Sequence, residues 1–287
     1  MYPTTVLMLA LDERDPAVVE AFLSLAPRLG LQRVVVHHVV EQDAVPAALR
    51  LPGPATPTSP PELQARVDSL RAALPDVEVE LHSAAGSPVE AADALQATLA
   101  PDLLVLGRAL AGAAGGITGQ ALLRHARCTT LIVPDGWSPP AKGAVVGVDF
   151  SDEAVAALAT AARLFDDVRC LYQYDERVSP SGQPDGEFRA ELERNARAHF
   201  DADVRPAVGG GEGLELQLVA AGRASDALLE HAGADRVVVI GSRGLSPLAA
   251  RLLGSTAERV AARAGVPVLV VREKGKVMGF LEGLAHR

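Results

Sequence analysis

Hydrophobic residues fall into two kinds of cluster that alternate along the chain. One kind is a short, continuous run of β-branched residues and leucine, such as TTVLML, LLVL or RVVVI. Such runs predict parallel strands covered on both faces. They occur near 4–11, 33–40, 77–82, 103–106 and 129–133, and again near 144–149, 168–174, 214–219, 236–240 and 267–271. In the other kind, apolar residues return every three or four positions. Val18, Phe22, Leu25 and Leu29 do so, as do Leu63, Val67, Leu70 and Leu74, then Val155, Leu158, Ala162 and Phe165. That spacing predicts helices with one apolar stripe. Strand alternating with helix implies right-handed crossovers and a doubly wound parallel sheet, an α/β fold.

The pattern is written twice. VLMLALDERDPAVVEAF resembles AVVGVDFSDEAVAAL, aligning Asp12 with Asp149. VEVELHSAAGSPVEA matches LELQLVAAGRASDA through Gly86 and Gly222, PDLLVLG matches ADRVVVIG through Gly107 and Gly241, and TTLIVP matches VPVLVVR. Four matches in one order at a nearly constant offset define an internal duplication. Each copy reads as a five-stranded domain, 1–137 and 141–287, joined at the Pro/Gly-rich DGWSPPAKG (135–143). Polar, Pro-rich insertions at 51–62 and 176–187 are expected to be irregular excursions, and GGGEG (209–213) a turn.

Composition narrows the chemistry. The 287 residues carry a net charge of −9, so a phosphate backbone is a poor partner and nucleic acid is not expected. Lysine occurs only at 142, 274 and 276, and no GxxxxGK[ST] loop exists, which excludes a P-loop enzyme. Cys128 and Cys170 are too few for a disulfide framework and read as small core residues. The N-terminus lacks a basic region and reads as a strand, and no apolar run reaches the roughly 20 residues of a membrane span. A cytoplasmic protein without membrane contact is the expectation.

Candidate chemistry concentrates after the fourth strand of the second copy, where Gly241-x2-Gly244-x9-Gly254-Ser255 runs into a helix. Gly241 leaves the strand end clear of a Cβ, and Gly244 permits a turn in which consecutive N–H groups converge. Gly254, Ser255 and Thr256 open a helix whose free amides and dipole favour a phosphate. Arg243 or Arg251 supplies neutralising charge. Ser255-x-x-Glu258 also fits a capping box, which accounts for Ser255 without a ligand, and Asp149 also fits a helix N-cap.

Gly-x2-Gly-x9-Gly-[Ser/Thr] after a strand, with the IGSRG opening and the VPVLVV closing strand, resembles the nucleotide motif of ATP-binding universal stress proteins. The resemblance covers the whole chain as two such domains in tandem. It implies a Rossmann-like, adenine-nucleotide-binding sheet of order 3-2-1-4-5. It implies ATP as ligand, with Mg or Mn as candidate accompanying metal. Asp149 would contact the ribose and the Gln173 backbone the adenine. Gly241, Arg243, Gly244, Gly254, Ser255 and Thr256 would wrap the phosphates. The first copy keeps Asp12 and Gly107 but has Leu110 for Gly244 and Ile117 for Ser255, followed by Thr118, so its site is expected to be empty or weak.

The resemblance further implies a stress-response nucleotide sensor. The alternatives are a slow ATPase or phosphotransferase and a ligand-free scaffold; the motif contains no identifiable base for catalysis. The apolar edge strands at 129–133 and 266–271 are expected to pair within the chain, and the tail around Val277, Phe280, Leu281 and Leu284 to help form a homodimer. His37 and His38 read as packed strand histidines, with no third ligand to make a metal site.

Overall fold

The computed structural model describes residues 1–40, 60–109, 115–138, 140–175, 186–209, 214–220, 222–242 and 253–272. The chain divides into two units, Met1–Pro139 and Pro140–Arg287. In the first, the elements are β1 (Thr4–Leu9), α1 (Asp15–Leu29), β2 (Arg33–Val40), α2 (Pro61–Ala73), β3 (Glu78–Ala85), α3 (Pro88–Leu99), β4 (Leu103–Arg108), α4 (Gly115–His125) and β5 (Thr129–Pro134). β1 pairs in parallel with β2 and β4, β2 with β3 and β4 with β5, which is the order 3-2-1-4-5.

The second unit repeats the plan with β6 (Gly143–Gly147), α5 (Asp152–Leu164), β7 (Val168–Tyr174), α6 (Gly186–His199), a π-helical turn (Phe200–Val204), α7 (Arg205–Ala207), β8 (Leu214–Ala220), α8 (Ala224–Ala232), β9 (Arg236–Gly241), α9 (Ser255–Arg263) and β10 (Val268–Val271). Here β6 lies between β7 and β9, with β8 and β10 outermost, so the order is the same. Both units are thus doubly wound α/β sheets. With right-handed crossovers the helices after the first two strands cover one face and those after the next two cover the other.

The apolar runs form the strands because both faces are buried: Val34, Val35 and Val36 in β2 and Ala144, Val145 and Val146 in β6 are fully enclosed. The stripes of α1 and α2 face the sheet as their spacing predicts, with Val18, Phe22, Leu25 and Leu29 buried in one and Leu63, Val67 and Leu70 in the other. Helix α5 is rotated from its expected stripe. Val155 and Ala162 are half-buried, and the inward face is Ala154, Ala157, Leu158, Ala161 and Leu164. Alanines let a helix axis approach closely, and α5 packs on β9, β10 and β6. The spacing rule had favoured the larger residue at each turn, whereas close approach selected the smaller.

Cys128 and Cys170 are free and buried, and burial pushes the Cys170 thiol up to about 12, so it is protonated and inert as a nucleophile. Among the described residues no helix is long and apolar enough to cross a membrane. Most of the insertion at 176–187, most of that at 51–62, most of the GGGEG run at 209–213 and the tail from 273 lie outside the described residues.

Candidate functional site

In the second unit the chain leaves β6 through Val148, whose N–H donates to the Leu171 carbonyl (2.9 Å) and keeps it in line with the sheet. Asp149 follows, at the carboxyl edge beside β9, the position at which open α/β sheets bind ligands. Its Oδ1 accepts from the Ser151 amide (3.1 Å) and from Ser151 Oγ (2.5 Å). Ser151 Oγ in turn accepts from the Ala154 amide (3.2 Å) and caps α5. The N-cap is therefore Ser151, and Asp149 is the group that orients it. One carboxylate oxygen is spent on this relay, while Oδ2 has no hydrogen-bond partner among the described residues.

Gly241 ends β9 in register with Val271. Its lack of a side chain has a cause that the motif did not suggest: a Cβ there would lie 2.9 Å from both the carbonyl carbon and the oxygen of Glu153. The glycine admits the first turn of α5 against the strand end. Its counterpart Gly107 does the same for α1, since a Cβ would meet Val18 Cγ2 at 3.0 Å. After β9, the Ser242 amide donates to Val271 O (3.0 Å), and the Gly254 amide donates to Ser242 O (2.8 Å). This second bond brings the start of α9 back to the strand end and sets Gly254 beside Ser242. Arg243, Gly244 and Arg251 lie outside the described residues.

Helix α9 begins at Ser255 with Gly254 as its N-cap residue, and no side chain caps it. The capping box expected from Ser255-x-x-Glu258 is not formed, because Ser255 sits one position inside the helix and Glu258 one position too far along. The Glu258 amide bonds Gly254 O (2.9 Å), as an ordinary helical i to i−4 pair. Ser255 is exposed and Thr256 half-buried, so both hydroxyls stand near the helix start without a capping duty. Gln173, near the end of β7, turns its side-chain Nε2 onto the Tyr174 carbonyl (2.9 Å).

The first unit departs from this plan more than its sequence suggested. Leu7 pairs with Val105, two residues before Gly107, and Val146 pairs with Val239, two residues before Gly241. Carried forward, that register sets Ala10 opposite Asp149 and Asp12 opposite Ser151. The left-handed residues agree, Leu11 (φ 62°) matching Phe150 (φ 64°). By the strands Asp12 therefore falls two positions beyond Asp149. By the helices the expected equivalence holds: the amide of Arg14, the residue before α1, donates to Asp12 Oδ1 (2.9 Å) as the Ser151 amide before α5 donates to Asp149 Oδ1. A slip of two preserves the alternation of faces along a strand, so the hydrophobic pattern carried no trace of it. Asp12 is also ion-paired with the Arg14 side chain, which holds its carboxyl below the usual range.

A different carboxylate fills the loop. Asp15, 2% exposed, accepts from the amides of Ala10 (3.0 Å) and Leu11 (2.9 Å) and pairs with Arg66 of α2. Helix α4 starts at Gly115, so Gly116, Ile117 and Thr118 lie within its first turn and Gly116 is not a cap. Leu110 lies outside the described residues.

His38 Nδ1 meets the Leu9 carbonyl (2.9 Å), and His37 is buried with neither ring nitrogen partnered. Among the described residues no three His, Cys, Asp or Glu side chains are grouped to hold a metal. An aromatic cluster escaped the sequence reading. Phe150 lies 4.9 Å, centroid to centroid, from both Tyr172 and His199. Nothing in the local pattern marks it, since it depends on a left-handed residue and on a helix remote in sequence.

Comparison with known proteins places both halves together. The model of the Universal stress protein family matches residues 1–134 and again 142–272. A curated Thermus aquaticus protein described as "Universal stress protein in QAH/OAS sulfhydrylase 3'region" is 32% identical over 139 residues, 46% of this chain and 98% of that one. Two solved structures are similar along nearly the whole chain. A universal stress protein from Archaeoglobus fulgidus has a TM-score of 0.58 at 19% identity, covering 94% of this chain and 96% of its own. A putative universal stress protein from Pseudomonas aeruginosa has a TM-score of 0.63 at 18% identity, covering 100% and 98%. At these identities the two structures speak for the fold.

Proposed function

The chain belongs to the universal stress protein family as a tandem of two of its domains, and from that membership and the geometry of the second unit we propose that it is an ATP-binding regulatory protein with one working site. The observation that carries this reading is the Asp149 carboxylate: one oxygen is held by Ser151 and the other is left to accept from a ribose hydroxyl. The uncapped start of α9, tied back to the strand end by the Gly254–Ser242 bond, supports phosphate binding at Gly254, Ser255 and Thr256. Gly241, Arg243 and Gly244 complete the phosphate side in this proposal. The Gln173 backbone meets adenine, and Mg or Mn accompanies the phosphates.

Occupancy by ATP sets the state of the protein in its stress response, and the protein works in the cytoplasm as a homodimer. The direct test is the mass spectrum of small molecules released by denaturing the purified protein, followed by calorimetric titration. ATP or ADP in the released fraction supports the reading, and no adenine nucleotide together with no titration heat defeats it. ATP turnover of the parent, compared with Ser255→Ala, separates a sensor from a slow ATPase. The solution mass at micromolar concentration tests the dimer.

A further inference from the structure

Helix α2 and helix α6 occupy the same place in their units, after the second strand, and they seal it differently. Leu63, Val67 and Leu70 of α2 are fully buried. In the second unit the buried positions are Ala196 of α6 and Phe200 and Val204 of the π-helical turn that continues it, while the first ten residues of α6 bury none. Beneath α6 the second unit retains a cavity of about 480 Å³. Ligand pockets fall in the range of about 300–1,000 Å³. Among the described residues its walls are Phe150, Tyr172, Phe188 and Leu192, all half-buried, with the buried Ala196, and its exposed rim carries Glu191, Asn195 and His199, whose Nδ1 is engaged by Asp203.

The aromatic walls are specific to this unit. Tyr172 stands where the first unit has His38, and Phe150 where it has Leu11, as the strand registers show. His38 turns its ring onto the Leu9 carbonyl, while Tyr172 packs against Phe150 at 4.9 Å and Tyr174 at 6.4 Å. Tyr174 fixes which face this is: its hydroxyl donates to Glu193 of α6 (2.5 Å). Side chains alternate along a strand, so Gln173 points to the opposite face of β7 from Tyr172 and the cavity.

We propose that the cavity between α6 and β7 binds a planar aromatic ring carrying an N–H donor at its edge. Phe150, Tyr172 and Phe188 offer faces and edges for such a ring. The Glu191 carboxylate and the Asn195 carbonyl at the rim accept from the donor. An anionic edge is disfavoured by Glu191. This site does not depend on the nucleotide reading, and its ligand is separate from ATP.

Indole is a suitable probe, observed by saturation-transfer NMR on the full chain. The expected result is saturable binding with a Kd of about 1 mM or tighter, as fits a ring of that size. Two variants remove the site while sparing the fold. Leu192→Trp, on the half-buried face of α6, fills the cavity. Phe150→Gly deletes a wall at φ 64°, which glycine adopts without strain. Each should weaken indole at least about tenfold with an unchanged circular dichroism spectrum. Absence of saturable binding up to about 10 mM overturns the proposal, and so does an unchanged affinity in both variants. Displacement of indole by ATP also overturns it, because the cavity would then be the base-binding part of the nucleotide site.

Discussion

Gly241 and Glu153 meet backbone to backbone: a methyl group on Gly241 would stand 2.9 Å from the Glu153 carbonyl. The same turn of α5 is capped by Ser151, which holds Asp149. Gly241→Ala must therefore displace the helix that orients the carboxylate. We expect a loss of about 1–3 kcal/mol in stability, together with weaker nucleotide binding. Denaturant unfolding and calorimetry on the same preparation check both.

Two serines near the site should separate stability from binding. Ser151→Ala removes a helix cap, costing about 0.5–2 kcal/mol, and it also frees Asp149, so both melting temperature and ATP affinity should fall. Ser255 caps nothing. Ser255→Ala should leave the melting temperature unchanged and weaken ATP by about 1 kcal/mol through one lost hydrogen bond. Equal melting temperature losses in the two variants would show that α9 is capped after all.

Binding should be asymmetric, about one ATP per chain. Ala10 stands in the register position of Asp149, and the Asp15 carboxylate already takes the amides of Ala10 and Leu11. Ala10→Asp should therefore fail to create a second site, because the register position of Ser151 is held by Asp12, a carboxylate with no hydroxyl to donate to the new one. A calorimetric stoichiometry near two for the parent chain would refute the asymmetry.

Acid should weaken the fold through His37. Burial, with the neighbouring His82 and His38, lowers its pKa from 6.5 to about 4. The unfolded chain then binds the extra proton first, so this contribution is complete above about pH 6.5 and is lost as pH falls toward 4. The full effect is of order 3 kcal/mol. His37→Leu should flatten the stability profile between those limits and leave stability at pH 8 equal or higher, since neither ring nitrogen has a partner to lose.

The strands were legible because each is a short apolar run bounded by polar residues, whereas the order 3-2-1-4-5 was implied by the family resemblance. What stayed hidden depends on register and on distance. Asp12 matches Asp149 at the helix starts, while the strands before them are offset by two, which a hydrophobic pattern of period two does not register. Ser255 and Glu258 had capping-box spacing, but the helix begins one residue earlier than that box requires. Gly241 was legible as a required glycine, while the atoms that require it belong to Glu153, eighty-odd residues away in sequence. The cavity wall at Phe150 could not be read at all, because its φ is a property of the folded loop.

The Gly254–Ser242 hydrogen bond has an evolutionary corollary. It closes the connection between β9 and α9 at its base, so the residues between can be lengthened, shortened or rewritten without moving either element. Closure entropy grows slowly with length, at about 0.6 kcal/mol per doubling. The first unit joins β4 to α4 through 109–114, where the second joins β9 to α9 through 242–254. After duplication, the two copies could diverge in this connection while each strand and helix kept its place. Exchanging 243–253 with the matching segment of a related tandem chain should therefore leave the unfolding free energy nearly unchanged, which denaturant titration checks.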